Sequence, residues 1–193
     1  MIPVQPQPEP PDFDACVRQP GREELASLEG ELRPHWRRCA TQLWDAYRGV
    51  CAYSCIHIPR GTGGVSVDHM LPKSKRRELA YEWRNYRLAC VRMNARKNDL
   101  EDVLDPFEVR DGWFALELST LEVIPGDGLP EELRQRVQAT IDRLDLNDNE
   151  FVRARTAYYD DFRNQDVSFR FLQKRFPFLA RELVRQGLFK PQE

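Results

Sequence analysis

The stretch Val65-Ser66-Val67-Asp68-His69-Met70 decides how the chain is read. Its alternating β-branched residues predict a short strand, and the end of that strand sets a carboxylate beside an imidazole. Neighbours on a strand point to opposite faces, so Asp68 and His69 cannot serve one task in one direction. One can hold a metal while the other, across a bound phosphate, activates water. Downstream, Pro72-Lys73-Ser74-Lys75-Arg76-Arg77 is a basic loop, and Glu78 to Trp83 is compatible with a short helix. Asn85-Tyr86-Arg87-Leu88-Ala89 reads as a second strand, and Met93 to Asn98 is polar and helix-compatible. The order is strand, loop, strand, helix, with His69, Asn85 and Asn94 at the three junctions.

Taken together, these residues resemble the HNH endonucleases, whose ββα-metal (His-Me finger) motif runs Asp-His, then Asn, then Asn or His on a helix. The matching residues are Asp68-His69, Asn85, and Asn94 followed by Lys97, within "VDHMLPKS", "EWRNYRLAC" and "MNARKND". The resemblance covers about residues 48–108. It implies a metal-dependent endonuclease that hydrolyses phosphodiester bonds of DNA, RNA being compatible with the same chemistry. Such hydrolysis needs a nucleophile and stabilisation of charge on the phosphate and leaving oxygen. His69, with an ordinary pKa near ~6.5, can take a proton from water at neutral pH. Asp68 offers a hard oxygen to one Mg²⁺ or Mn²⁺ ion, and Asn94 adds an amide carbonyl oxygen. The resemblance gives Asn85 the role of orienting the imidazole or steadying the loop. Lys97 lies three residues after Asn94 on the same helix face, within reach of a phosphate. Lys73, Lys75, Arg76 and Arg87 complete the expected nucleic-acid contacts. Asn98, one turn after Asn94, is an alternative ligand, although the nine-residue step from Asn85 suits Asn94 better. His57 alternates with apolar neighbours and reads as structural, and His35 reads as a surface residue.

Many HNH proteins carry two Cys-x-x-Cys pairs that bind structural zinc. Here the first is Cys51-x-x-x-Cys55, one residue too long, and in the second Met93 stands where a cysteine would follow Cys90. Zinc at structural sites takes four N or S ligands. Three thiols, with His57 at an unusual spacing, do not predict one. Cys16 and Cys39 read as incidental. The run from Asp105-Pro106-Phe107 to Trp113-Phe114 is similar to short bacterial HNH proteins, some encoded beside ATPases in anti-phage defence systems. That similarity implies a role in phage defence or restriction and an ATPase or other protein partner.

Outward from the motif, six of the fourteen prolines lie within residues 3–20, which predicts an extended proline-rich arm over 1–20. Leu25, Leu28 and Leu32 predict one helix, broken at Pro34. Trp36, Ala40, Leu43, Trp44 and Tyr47 predict a second, ending near Gly49, so residues 21–49 form an N-terminal helical segment. The core spans 50–108. Residues 109–193 open with a β-hairpin (Trp113 to Leu118, Leu121 to Ile124), broken at Pro125-Gly126-Asp127-Gly128. Helices follow from Pro130 through Leu144, from Asn147 or Asp148 through Phe162, and over roughly 166–175 and 177–188. Tyr159, Phe169 and Phe171 are candidates for packing on the core or on a partner. The class is α+β, a ββα-metal core flanked by N- and C-terminal helices.

The chain of 193 residues carries 29 Lys or Arg against 31 Asp or Glu, a formal charge of −2. By itself that balance does not point to nucleic acid. It is uneven, however. Residues 60–97 hold ten basic residues against three acidic ones, a local charge of +7 that leaves −9 elsewhere. A positive field therefore sits where a phosphate backbone would dock, and the acidic remainder predicts weak affinity for the isolated chain. No apolar run approaches the ~18–20 residues of a membrane span, and no secretory leader is read at the N-terminus, so the expectation is a cytoplasmic protein without a membrane partner.

Overall fold

Strand β1 (Val65–His69) pairs antiparallel with β2 (Tyr86–Cys90), setting Ser66 opposite Ala89, Asp68 opposite Arg87 and His69 opposite Tyr86. The computed structural model describes residues 1–26 and 30–190. Helix α3 (Val91–Lys97) starts directly where β2 ends, with Cys90 in extended conformation as its N-cap residue. It stops at Asn98, whose φ of 40° leaves the helical region. The chain divides into two units, one of Gln5–Cys51 and Ile58–Asp102 and one of Met1–Val4, Ala52–His57 and Val103–Glu193. The β1–β2–α3 arrangement belongs to the first.

In that unit α1 (Gln19–Ala26) and α2 (Ala40–Ala46) precede the strands, and α2 packs on both of them. Two short turns depart from the expected pattern. A 3₁₀ turn, His35–Cys39, leads into α2, which makes His35 a buried residue rather than a surface one. A π-helical turn, Asp14–Arg18, runs into α1, so the second half of the proline-rich arm is helical. Pro20 falls where the π-helical turn passes into α1. Burial favours the turn. Val17 is sealed off, and Phe13 meets Trp83 and Tyr86 edge-on at 5.6 and 5.8 Å. Trp83 Nε1 donates to Gln7 O at 2.8 Å, which fixes the extended part. Gly21 has no substitute here, because an added Cβ would lie 2.2 Å from Tyr81 Cγ. Helix α1 is described over Gln19–Ala26, Leu32 is not helical, and the expected apolar position Leu28 lies outside the described residues.

The other unit contains β3 (Phe114–Glu117) paired antiparallel with β4 (Glu122–Pro125), then α4 (Glu131–Leu144), α5 (Asn149–Arg163), α6 (Phe169–Arg175) and α7 (Pro177–Arg185). Its core gathers Leu116, Val123, Ile141, Phe176 and Leu183. Capping follows the sequence. Asp148 accepts from the N–H groups of Glu150 and Phe151, Ser168 from that of Phe171, and Pro177 opens α7. The fold is mixed, two small antiparallel sheets among several helices. Among the described residues no helix is long and apolar enough to cross a membrane.

Candidate active site

Alternation along β1 separates the two central residues as expected. Asp68 and Ser66 share the face covered by α3, where Asn94 Nδ2 donates to Ser66 Oγ at 2.7 Å and Lys97 Nζ lies 3.9 Å from Asp68 Oδ1. His69 turns to the opposite face, packed edge-to-face against Trp36 (4.8 Å between ring centroids) and Tyr86 (5.2 Å).

The geometry of His69 is closely defined. Its Nε2 lies 2.9 Å from Ala80 O. A carbonyl can only accept, so Nε2 carries the proton and Nδ1 holds the lone pair. Tyr86 Oη donates to the same carbonyl at 2.8 Å. At 7 % exposure, burial pushes the imidazole pKa down to about 4, against the Ala80 bond, which raises it, and with Lys73 and Lys97 adding to the fall. His69 is therefore neutral at pH 7, a proton acceptor with a fixed tautomer.

The Asn85 side chain bonds the basic loop rather than the His69 ring. Its Oδ1 accepts from Leu71 N at 2.8 Å, and its Nδ2 donates to Leu71 O at 2.9 Å and Leu79 O at 3.1 Å. Its own carbonyl accepts from Met70 N at 2.8 Å. These bonds close the basic loop at both ends, one residue before the carbonyl of Ala80. Asn85 thus holds in place the group that holds His69.

A cavity of about 780 Å³ takes walls from both faces of β1 and from α3, and its lining includes Ser66, His69, Lys73, Asn94 and Trp36. Asn98 and Asp99 also line it. Between the two candidate asparagines, Asn94 is the one turned to β1, since it bonds Ser66, while Asn98 Nδ2 reaches Asp99 Oδ1 at 3.3 Å.

The expected metal donors suit a hard divalent ion in their chemistry, a carboxylate oxygen and an amide oxygen. Their placement does not suit it. Asn94 lines the cavity, but Asp68 is absent from its lining, is 1 % exposed and faces the Lys97 ammonium. As arranged, the pair presents no cation site to the cavity, and Asp68 stands instead as the buried partner of Lys97. Among the described residues no group of three His, Cys, Asp or Glu side chains is placed to hold a metal. Cys51 and Cys90 hydrogen-bond through their thiols, which, together with burial, pushes Cys90 well above the ordinary thiol range. His57 lies against Arg175, whose Nη1 is 2.6 Å from its Nδ1.

Of the five basic residues expected at phosphates, only Lys73 lines the cavity. Lys75 and Arg76 are on the surface, paired with Glu101 at 3.0 Å and Glu78 at 2.7 Å. Arg87 is buried opposite Asp68, its Nη1 donating to Arg84 O and Tyr86 O at 2.9 Å each. Lys97 is 0 % exposed and donates to His69 O at 2.6 Å and Met70 O at 2.7 Å. Both side chains are buried, in contrast to the exposed Lys73. Each donates to backbone carbonyls, which need donors at the end of a strand. The sequence reading missed Trp36, Ser66 and Tyr86 as parts of the site. Only Tyr86 had a signal, its position directly after Asn85 and across from His69.

No protein-family model matches this chain, and no curated protein matches it.

Proposed function

We propose that the chain is an HNH-type endonuclease that hydrolyses phosphodiester bonds of nucleic acid, with DNA as the first substrate to test and phage defence or restriction as its setting. The observation that carries this reading is His69: a neutral imidazole of one fixed tautomer at a polar cavity large enough for a phosphate and its sugars. In the proposed reaction Nδ1 takes a proton from a water molecule as the water oxygen bonds to phosphorus, and the bond from phosphorus to the leaving oxygen breaks. The leaving oxygen gains its proton from solvent. Lys73 offsets charge on the phosphate, and Ala80, Asn85 and Tyr86 keep the imidazole oriented throughout. No step is routed through a metal, given the burial of Asp68.

That same burial favours a second reading, a nucleic-acid-binding or assembly subunit that keeps the ββα scaffold without cutting. One experiment separates the two. Supercoiled plasmid is incubated with wild type and with His69→Ala in buffer holding Mg²⁺ or Mn²⁺, the ions the resemblance implies. The nuclease reading expects nicking by wild type and a loss of roughly 10²–10⁴-fold in the variant, its circular dichroism unchanged. Plasmid binding without nicking by wild type would favour the second reading. Equal nicking by both proteins would remove His69 from the mechanism.

A further inference from the structure

A second hollow, of about 510 Å³, adjoins the cavity of His69. Trp36, Arg37, Lys73 and Ser74 line both, so Trp36 is a wall shared by the two, and its ring also meets Tyr81 at a tilt, 5.8 Å between centroids. On one side its edge-to-face partner is His69. Lys73 Nζ sits over the ring, 5.6 Å from its centroid. The second hollow adds Pro34 and Arg77 to its walls, and Arg77 is steered there by a bond from its Nη1 to Gly30 O at 3.1 Å. Among the described residues each hollow has one carboxylate, Asp99 in the first and Glu31 in the second, against the shared Arg37 and Lys73. Arg37 and Lys73 are exposed, and Trp36 is only half-buried. A half-exposed indole flanked by cations is a poor core residue but a good platform for a flat aromatic ligand bearing negative charge.

We propose that the second hollow is a nucleotide subsite that takes an unpaired base of a single-stranded nucleic acid, stacked on Trp36, with Arg37, Lys73 and Arg77 on the flanking phosphates. The proposal rests on the nuclease reading and deepens it, because it names the substrate class. A base reaches a side-chain ring only when it is free of its complement and its neighbours, so the subsite selects unpaired segments over duplex. Stacking on a ring is open to every base, so the subsite brings little sequence preference. The sugar enters neither contact, so the proposal covers DNA and RNA strands alike.

The test measures binding and cleavage separately. Fluorescence anisotropy in EDTA follows labelled ten-nucleotide single strands, one of DNA and one of RNA, and the DNA duplex of the same sequence. Wild type is expected to bind at least one single strand about tenfold more tightly than the duplex. Trp36→Ala is expected to lose about fivefold to a hundredfold of that affinity, the range typical of one stacked base, while Trp36→Phe keeps most of it. Arg37→Ala, at an exposed position that should not disturb folding, is expected to weaken binding and flatten its salt dependence. Tighter binding to duplex, or Trp36→Ala and Arg37→Ala both binding as wild type does, would overturn the subsite. Hydrolysis of bis(4-nitrophenyl) phosphate, a small diester with no base to stack, reports on the nuclease reading alone. Strand binding that depends on Trp36 without any diester hydrolysis would sink that reading and leave the subsite standing.

Discussion

Two hairpins in this molecule are built alike and end differently. At β1–β2 a long polar side chain from a helix, Lys97 of α3, satisfies the carbonyls of His69 and Met70. At β3–β4 the same service comes from α7 and the residue after it: Glu182 accepts from Leu116 N at 3.0 Å, and Gln186 Nε2 donates to Leu116 O at 2.9 Å. Both devices solve one problem, the unpaired backbone of a two-stranded sheet. The side chains left over diverge. On β3–β4 they are Phe114, Leu116 and Val123, all buried in an apolar core. On β1 they are Ser66 and His69, which with Asn94 line an open cavity. Satisfying the backbone builds a scaffold in both places, and at β1 it leaves Ser66 and His69 on the wall of a cavity.

Lys97→Met leaves Asp68 and two carbonyls buried without their cation, and urea denaturation should show a loss of about 3–5 kcal/mol. A loss well under 1 kcal/mol would mean that the β1 hairpin does not depend on its helix in this way. The next effect is on pH. Burial holds the folded His69 value at about 4, below its ordinary 6.5. Between those values the unfolded chain binds a proton that the folded chain refuses. Stability is thus fully present above pH 6.5, falls as the pH drops, and levels off below about 4, for a total of about 3 kcal/mol. Cleavage should keep its neutral base at pH 5, with an acid limb near 4. A limb near 6.5 would place His69 in water. Asn85→Ala should cost roughly 1–3 kcal/mol through the loop bonds it removes, and cleavage should fall with it because Ala80 is no longer held. Glu182→Gln is the matching change in the other hairpin. It keeps an acceptor for Leu116 and loses the charge facing Arg185, so about 1 kcal/mol is expected in denaturation, with cleavage unchanged. Lys75→Ala, at the exposed pair with Glu101, should leave the denaturation midpoint where it was.

Much of this arrangement was legible beforehand. Alternation around Val65 and Val67 gave β1, and the split between Asp68 and His69 followed from it directly. Asp148, Ser168 and Pro177 marked helix starts because capping is local chemistry. The prolines predict an extended arm, yet from Asp14 the chain is helical, since the burial of Phe13 and Val17 is a tertiary effect that a count of prolines cannot reveal. The basic residues were the harder case. Lys73, Arg87 and Lys97 look alike in sequence, yet one lines the cavity and two are buried. The helix face shared by Asn94 and Lys97 was visible, but what that face met was a strand end rather than a ligand. Trp36 reads as one more apolar position on a helix, because sequence carries no trace of the two hollows it borders.

The burial of Lys97 also bears on the order in which this region assembles. Its charge finds partners only after the chain has brought His69, Met70 and Asp68 together, across a gap of almost thirty residues. Until then, docking α3 would strand a cation away from water, and with no α3 the strand end keeps open carbonyls. Neither half gains by forming first. Hairpin and helix should therefore appear as one cooperative event, and the amides of β1, β2 and α3 should exchange with solvent together rather than in sequence.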